Sequence, residues 1–341
     1  MCKKIISIDE KPGFLKAVVL AIFGTALFLS TAGCLPGIKL QPDATVPLRE
    51  YTLEGTGREK VAVININGMI TDKTEEKFMS GKEPSMLQET IAQLKLAEKD
   101  PDVKAVVLKI NSPGGTITAS DILYHRILQY KKATGATIIA ALMDVAASGG
   151  YYIALPADQI IAHPTTVTGS VGVIFVTPQV YELLDKIGVG VNARVSGRNK
   201  DMGSPFRAAT EEEDAIFNAL IRYYADRFMS LVKLHRDGRG LTVENVETAR
   251  IFTADGALSA GLIDRIGYLE EAIAAARQMS GLPANARVVV YRRTAYPNDT
   301  IYNSLSAQYE GNGPALVNVD LLNALPVCEA GFYYLWWPRA P

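Results

Sequence analysis

Ser148 lies in the run Met-Asp-Val-Ala-Ala-Ser-Gly-Gly-Tyr-Tyr-Ile at 143–153. Residues 137–142 are apolar with strand character, and residues 146–154 can continue them only as a turn into a helix. That places the serine hydroxyl at a helix N-terminus, where unpaired backbone N–H groups favour developing negative charge. Gly149 and Gly150 follow it, so no side chain blocks a substrate backbone. The pattern fits a nucleophile, and a serine nucleophile needs a base. Three histidines are available, His125, His163 and His235. The first falls in an amphipathic helix, the second at a strand end before Pro164, and the third near a helix C-terminus, where a positive charge suits the dipole. None has an acid at a telling position, so a Ser-His-Asp triad has little support. Lysine is the other base, provided its ammonium is stripped of water. Lys200, in the glycine-bounded loop 197–203 after a predicted strand, is the candidate; standing alone it would read as a surface lysine.

The elements that must position these groups alternate in type. Strands are expected at 61–70, 103–111, 137–142, 159–163, 189–196 and 287–291, and helices at 85–99, 120–132, 178–187 and 269–278. Phe252 to Asp264 reads as a short helix and strand. Thr210-Glu-Glu-Glu213 fits a capping box and opens a long helix whose face carries Phe217, Leu220, Ile221, Tyr224, Phe228 and Leu231. The near-continuous apolar strands are those of parallel strands covered on both faces. The βαβαβ order argues for an α/β fold with right-handed crossovers.

Composition bounds the function. The chain has 341 residues, 48% of them hydrophobic and 21% charged, with a formal charge of −1. With a pI near 6.4 and scattered basic residues, no nucleic-acid surface is expected. Cys2, Cys34 and Cys328 match no zinc or redox spacing, so neither a metal nor a cofactor is expected. Lysines at 3, 4, 11 and 16 precede the uncharged stretch 17–29, which is short for a bilayer span and suits a signal-peptide core. It ends in Leu-Ser-Thr-Ala-Gly-Cys at 29–34, similar to a bacterial lipoprotein signal in which Cys34 is lipidated. An uncleaved signal anchor is the alternative, and both readings export the body and tether it to a membrane. Residues 35–59, with Pro36, Pro42, Pro47, Gly55 and Gly57, read as a linker. At the other end, Phe-Tyr-Tyr-Leu-Trp-Trp at 332–337 is expected to pack on the domain or on a neighbouring subunit. Membrane-interface contact and occupancy of a peptide groove are the other readings.

Four motifs occur together and in order: Asn-Ser-Pro-Gly-Gly at 111–115, Ala-Ser-Gly-Gly-Tyr-Tyr at 147–152, Thr-Gly-Ser-Val-Gly-Val at 168–173 and Lys-Asp-Met-Gly-Ser-Pro at 200–205. The set resembles the signal peptide peptidase A family of serine peptidases over about residues 60–290. The resemblance implies the repeated β-β-α superhelix of Clp protease subunits and crotonases, as a single catalytic domain at 60–293 between the signal or anchor 1–34 with its linker and the tail 294–341. It implies Ser148 as nucleophile, Lys200 as general base, Ser170 as the residue holding that lysine, and Gly114 and Gly115 lining the oxyanion hole. Gly149 N–H joins Gly115 as a donor in the chemistry so read. One copy of each motif matches the family's short form, which implies a homo-oligomeric ring with serine and lysine from neighbouring subunits. The substrates so implied are cleaved signal peptides or other hydrophobic peptides near the membrane. Two other readings compete: a crotonase-type acyl-CoA enzyme, which has no use for Ser148 and Lys200 together, and a membrane-tethered scaffold without activity.

Overall fold

A computed structural model describes residues 46–77, 81–303 and 330–336. Fourteen strands form in these residues: β1 (Arg49–Glu54), β2 (Lys60–Asn67), β3 (Glu75–Lys77), β4 (Gly81–Glu83), β5 (Val103–Ser112), β6 (Gly114–Thr116), β7 (Thr137–Ala147), β8 (Gln159–Ala162), β9 (Val167–Gly169), β10 (Ile174–Val176), β11 (Ile251–Thr253), β12 (Arg265–Ile266), β13 (Arg287–Arg292) and β14 (Gly331–Leu335). The helices are α1 (Met86–Lys99), α2 (Ile117–Thr134), α3 (Gly149–Tyr152), α4 (Tyr181–Lys186), α5 (Glu211–Arg236), α6 (Val243–Val246), α7 (Ala254–Ser259) and α8 (Leu269–Met279). The main sheet runs β1-β13-β2-β5-β7-β8-β12, parallel except for β1, and β9 extends β7 and pairs with β11. The product is the mixed α/β architecture with a mostly parallel sheet that the alternation of elements predicts.

Side-chain alternation divides the apolar strands between two cores. Ile64 and Ile66 of β2, Leu108 and Ile110 of β5, and Ile138 and Leu142 of β7 pack with Leu94 of α1 and Leu123 and Ile127 of α2. The intervening residues Val61, Val63, Val107 and Ile139 face Ala272, Ile273 and Ala276 of α8. Burying both faces of a strand in this way stabilises each large aliphatic side chain by roughly 1.5–3 kcal/mol. Local signals hold as read. At the start of α5 the Glu213 N–H donates to Thr210 Oγ1 at 3.2 Å and the Thr210 N–H to Glu213 Oε2 at 2.9 Å, completing the capping box.

Three expectations are corrected. The stretch 35–59 is not linker throughout, because Arg49–Glu54 forms β1 against β13, with Tyr51 and Leu53 half-buried on the α8 core. Lys60 anchors the turn into β2 through Glu50 at 2.8 Å and Asp100 at 2.6 Å. The predicted strand at 189–196 is exposed coil, since no strand among the described residues offers it a ladder. The serine strand reaches Ala147, beyond the predicted end at 142, because β9 takes over from β8 on one edge while β5 stays paired as far as Ala146 on the other. Among the described residues no helix is long and apolar enough to cross a membrane. Cys34 and the stretch 1–34 lie outside them.

Candidate active site

Ser148 sits where β7 stops and α3 starts. Its N–H donates to the Gly169 carbonyl at 2.7 Å, the last link between β7 and β9, and its own carbonyl accepts from Tyr152 N–H at 2.8 Å. Satisfying both in one residue forces φ to +51° and ψ to −116°. A non-glycine residue held there costs on the order of 1–3 kcal/mol, which the surrounding ladder offsets. The hydroxyl is 1% exposed as part of Ser148, and its Oγ has no hydrogen-bond partner among the described residues. A buried, unsatisfied hydroxyl on a strained turn is a group held ready for another partner.

The glycine strand β6 approaches this turn. Gly115 bridges Ile70, which donates to Gly114 C=O at 2.8 Å and accepts from Thr116 N–H at 2.9 Å. Gly114 has φ of +103°, and a Cβ there would lie 2.7 Å from the Gly149 nitrogen. A Cβ on Gly149 would in turn meet Ser120 Oγ at 2.6 Å and the Gly114 Cα at 3.1 Å. Only glycine lets β6 and the N-terminus of α3 come this close. The structure therefore brings Ser148, Gly149, Gly114 and Gly115 together.

Ser170 adjoins the same turn, one residue after the carbonyl that receives the Ser148 amide. It also has a positive φ, 51°, and its N–H donates to Arg250 C=O at 2.8 Å. Lys200 is not brought to the serine within one chain. Its side chain is exposed, and Ser148 Oγ, with no partner, is bonded to neither Lys200 nor a histidine. His235 instead meets Tyr124 Oη at 2.8 Å, and burial, then nearby cations, pushes its pKa down. His163 bonds Thr165, and His125 is exposed. The loop beside Lys200 is fastened by a residue the sequence reading missed. Arg207 bonds Asp201 at 2.9 and 2.7 Å and reaches Glu213 at 2.9 Å, tying the loop to the first turn of α5. Only the capping glutamate, acidic and buried, hinted at such a partner.

The aromatic tail packs on the domain. β14 lies between β6 and β10 in a three-stranded antiparallel sheet, pairing Tyr334 with Gly115 and Phe332 with Phe175. Tyr334 is fully buried, stacked on Tyr152 at 5.1 Å and tilted on Phe228 at 4.9 Å, and its hydroxyl donates to Tyr224 C=O at 2.9 Å. Tyr152 donates to Asp121 at 2.7 Å, and Arg227 binds the same carboxylate at 2.6 Å. Phe332 meets Phe175 at 4.4 Å and Tyr224 at 5.6 Å. Trp337 lies outside the described residues.

The sequence is similar to those of known proteins. The model of Peptidase family S49 matches residues 130–283, and that of Clp protease residues 58–168. A protein of Enterococcus faecium assigned as signal peptide peptidase SppA is 34% identical over 267 residues, covering 77% of this chain and 76% of that one. The chloroplastic serine protease SPPA of Arabidopsis thaliana is 30% identical over 289 residues, 83% of this chain but 42% of the plant protein. Among solved structures, the 1510-N membrane-bound stomatin-specific protease superposes with a TM-score of 0.41 at 20% identity, over 73% of this chain and 100% of the other. The likeness to the Enterococcus faecium protein over about three quarters of both chains, together with the family model spanning the serine turn, places the chain in family S49, the signal peptide peptidase A family of serine peptidases.

Proposed function

We propose that this peptidase is tethered to a membrane through its N-terminus and cuts hydrophobic peptides, remnant signal peptides among them, with a Ser148–Lys200 dyad. The observation that carries the reading is the Ser148 hydroxyl, without a partner among the described residues and buried on a strained turn between β7 and α3. In the reaction the neutral Lys200 amine takes the Ser148 proton, and the alkoxide attacks a peptide carbonyl. The Gly115 and Gly149 N–H groups hold the oxyanion, a contribution of roughly 3–4 kcal/mol per donor in comparable sites. Lys200 then gives the proton to the leaving amine and later activates the water that releases the acyl group.

The lysine belongs, in this reading, to a neighbouring copy in a ring. What supports this is its exposure on a segment that also exposes Leu183, Ile187, Val189, Val191, Val195 and Phe206. So many apolar side chains on one segment mark a surface that is covered in the assembly. The test is complementation. Full-length Ser148→Ala and Lys200→Ala chains are each expected to be inactive, and subunits mixed from the two to recover a fraction of wild-type hydrolysis of a fluorogenic hydrophobic peptide. Mixtures that stay inactive, although they form mixed rings, would count against the shared dyad. Lipidation of Cys34 accounts for the tether, so Cys34→Ala should shift the protein from the membrane fraction to the soluble one if the signal is cleaved there.

A further inference from the structure

We propose that a second pocket, on the α8 face of the main sheet, binds a small free α-amino acid as its zwitterion. The pocket lies near the C-terminal ends of three adjacent parallel strands, β2, β5 and β7, the place where open α/β sheets take up ligands. Side-chain alternation separates it from the peptidase site. Asn65 and Lys109 continue the rows of Val61 and Val63 on β2 and of Val107 on β5, which face α8. Tyr151 and Tyr152, just after Ser148, pack in the other core. The volume of the pocket is about 170 Å³. Pockets for drug-sized ligands run to roughly 300–1,000 Å³, and a cavity of about 150 Å³ holds one benzene, so the occupant has the bulk of one small amino acid.

The charges in its wall set the chemistry of the ligand. Lys109 is only 9% exposed, and among the described residues its ammonium forms no ion pair. One of its three N–H groups donates to the Ile301 C=O at 3.0 Å, and Nζ lies 6.0 Å from the centre of the Tyr302 ring. The other two match the two oxygens of a carboxylate. Buried cations are normally paired, and burial pushes the Lys109 pKa down to about 8 against the pull of Asp144. A plain anion does not suit the pocket, however, because Asp144 brings a carboxylate to its mouth. Asn65 adds a buried Oδ1 that has no partner among the described residues. Both oxygens call for a donor, and the carboxylate for a positive one. Asp144 is held for that role. Its Oδ2 accepts from Asn111 Nδ2 at 3.1 Å, and Asn111 Oδ1 in turn accepts from the Val145 N–H at 3.1 Å. The two opposite charges are thus kept apart by bonds of their own, which is preorganisation for a ligand that carries both. An α-amino acid bears them on one carbon, so that its carboxylate meets Lys109 and its ammonium meets Asp144 and Asn65. Met143 and the Tyr302 ring, whose hydroxyl donates to Glu270 at 2.5 Å, give a short apolar side chain its contacts.

Calorimetric titration of the full-length chain tests the proposal, with L-alanine and L-valine as probes. Valine without its ammonium is isovalerate, and valine without its carboxylate is isobutylamine. Each should bind at least about tenfold more weakly than the better of the two amino acids, the cost of one charged hydrogen-bonded contact. Lys109→Met and Asp144→Asn should each weaken binding of that amino acid by about the same factor. Because Lys109→Met alters a buried residue, its melting temperature is measured beside its affinity. Asp144→Asn, nearly isosteric on an exposed side chain, carries the prediction alone if the lysine variant is unfolded. Binding of neither amino acid at millimolar concentration, equal binding of isovalerate, or an unchanged affinity in Asp144→Asn overturns the proposal.

Discussion

At the scale of single residues, the site depends on what is missing: a Cβ at three glycines and a partner for one hydroxyl. The motif around Ser148 was legible because serine followed by two glycines after an apolar run has few other uses. Its positive φ was not legible, because that value follows from two hydrogen bonds, to Gly169 and from Tyr152, that only the folded sheet defines. Gly149→Ala puts a methyl 2.6 Å from Ser120 Oγ and must move the N–H proposed as a donor. Turnover of a peptide substrate is expected to fall about 10²–10³-fold, the cost of one oxyanion donor. Ser120→Ala added to it removes the oxygen that clashes and should restore part of the rate. If the single substitution leaves kcat/KM unchanged, the Gly149 N–H is not a donor.

At the scale of elements, local signals were readable and non-local ones were not. The capping box at Thr210 lies within four residues and was found where it was read. β1 escaped notice because Pro47, Gly55 and Gly57 surround a six-residue strand whose partner, β13, lies at the far end of the sequence. The reverse holds at 189–196, where real apolar alternation finds no ladder among the described residues. β14 was expected to pack, but the choice of β6 as its partner is a tertiary fact. Arg207 is the element-scale device near the proposed base. Arg207→Ala should lower kcat by more than tenfold by freeing the Lys200 loop, with a smaller effect on KM. Arg207→Lys should not restore the rate, because the two-pronged bond to Asp201 needs a planar fork. A loss confined to KM would mean that the loop binds substrate and does not position the base.

At the scale of the whole molecule, one buried ionic group joins the helical layer to the sheet edge. Asp264 accepts from Arg236 at 3.1 and 2.9 Å, from Arg239 at 2.6 Å and from the Ile160 N–H at 2.7 Å. Burial alone would raise its pKa, but the Arg236 and Ile160 hydrogen bonds outweigh burial and hold it below the usual carboxylate range. A carboxylate with a depressed folded pKa contributes stability that is full above its unfolded value, near 4, and is lost as the pH falls through the folded one. Wild-type melting temperature should therefore drop on acidification below about pH 4, and Asp264→Asn should flatten that part of the profile. The same substitution strands the buried Arg236 and should cost roughly 3–5 kcal/mol at neutral pH by urea unfolding. A neutral-pH loss under about 1 kcal/mol would mean that water reaches the guanidinium. The sheet and its two cores were legible from strand patterning, whereas this ionic link joins segments distant in sequence and carried no local mark.

The central claim is that Ser148 is a nucleophile activated by Lys200, and peptide mapping after treatment with a fluorophosphonate tests it most directly. The assembled wild-type protein should carry one adduct, on the peptide containing Ser148, and the assembled Lys200→Ala protein should carry almost none. An adduct on a different residue, or labelling of Ser148 at an undiminished rate without Lys200, would contradict the account.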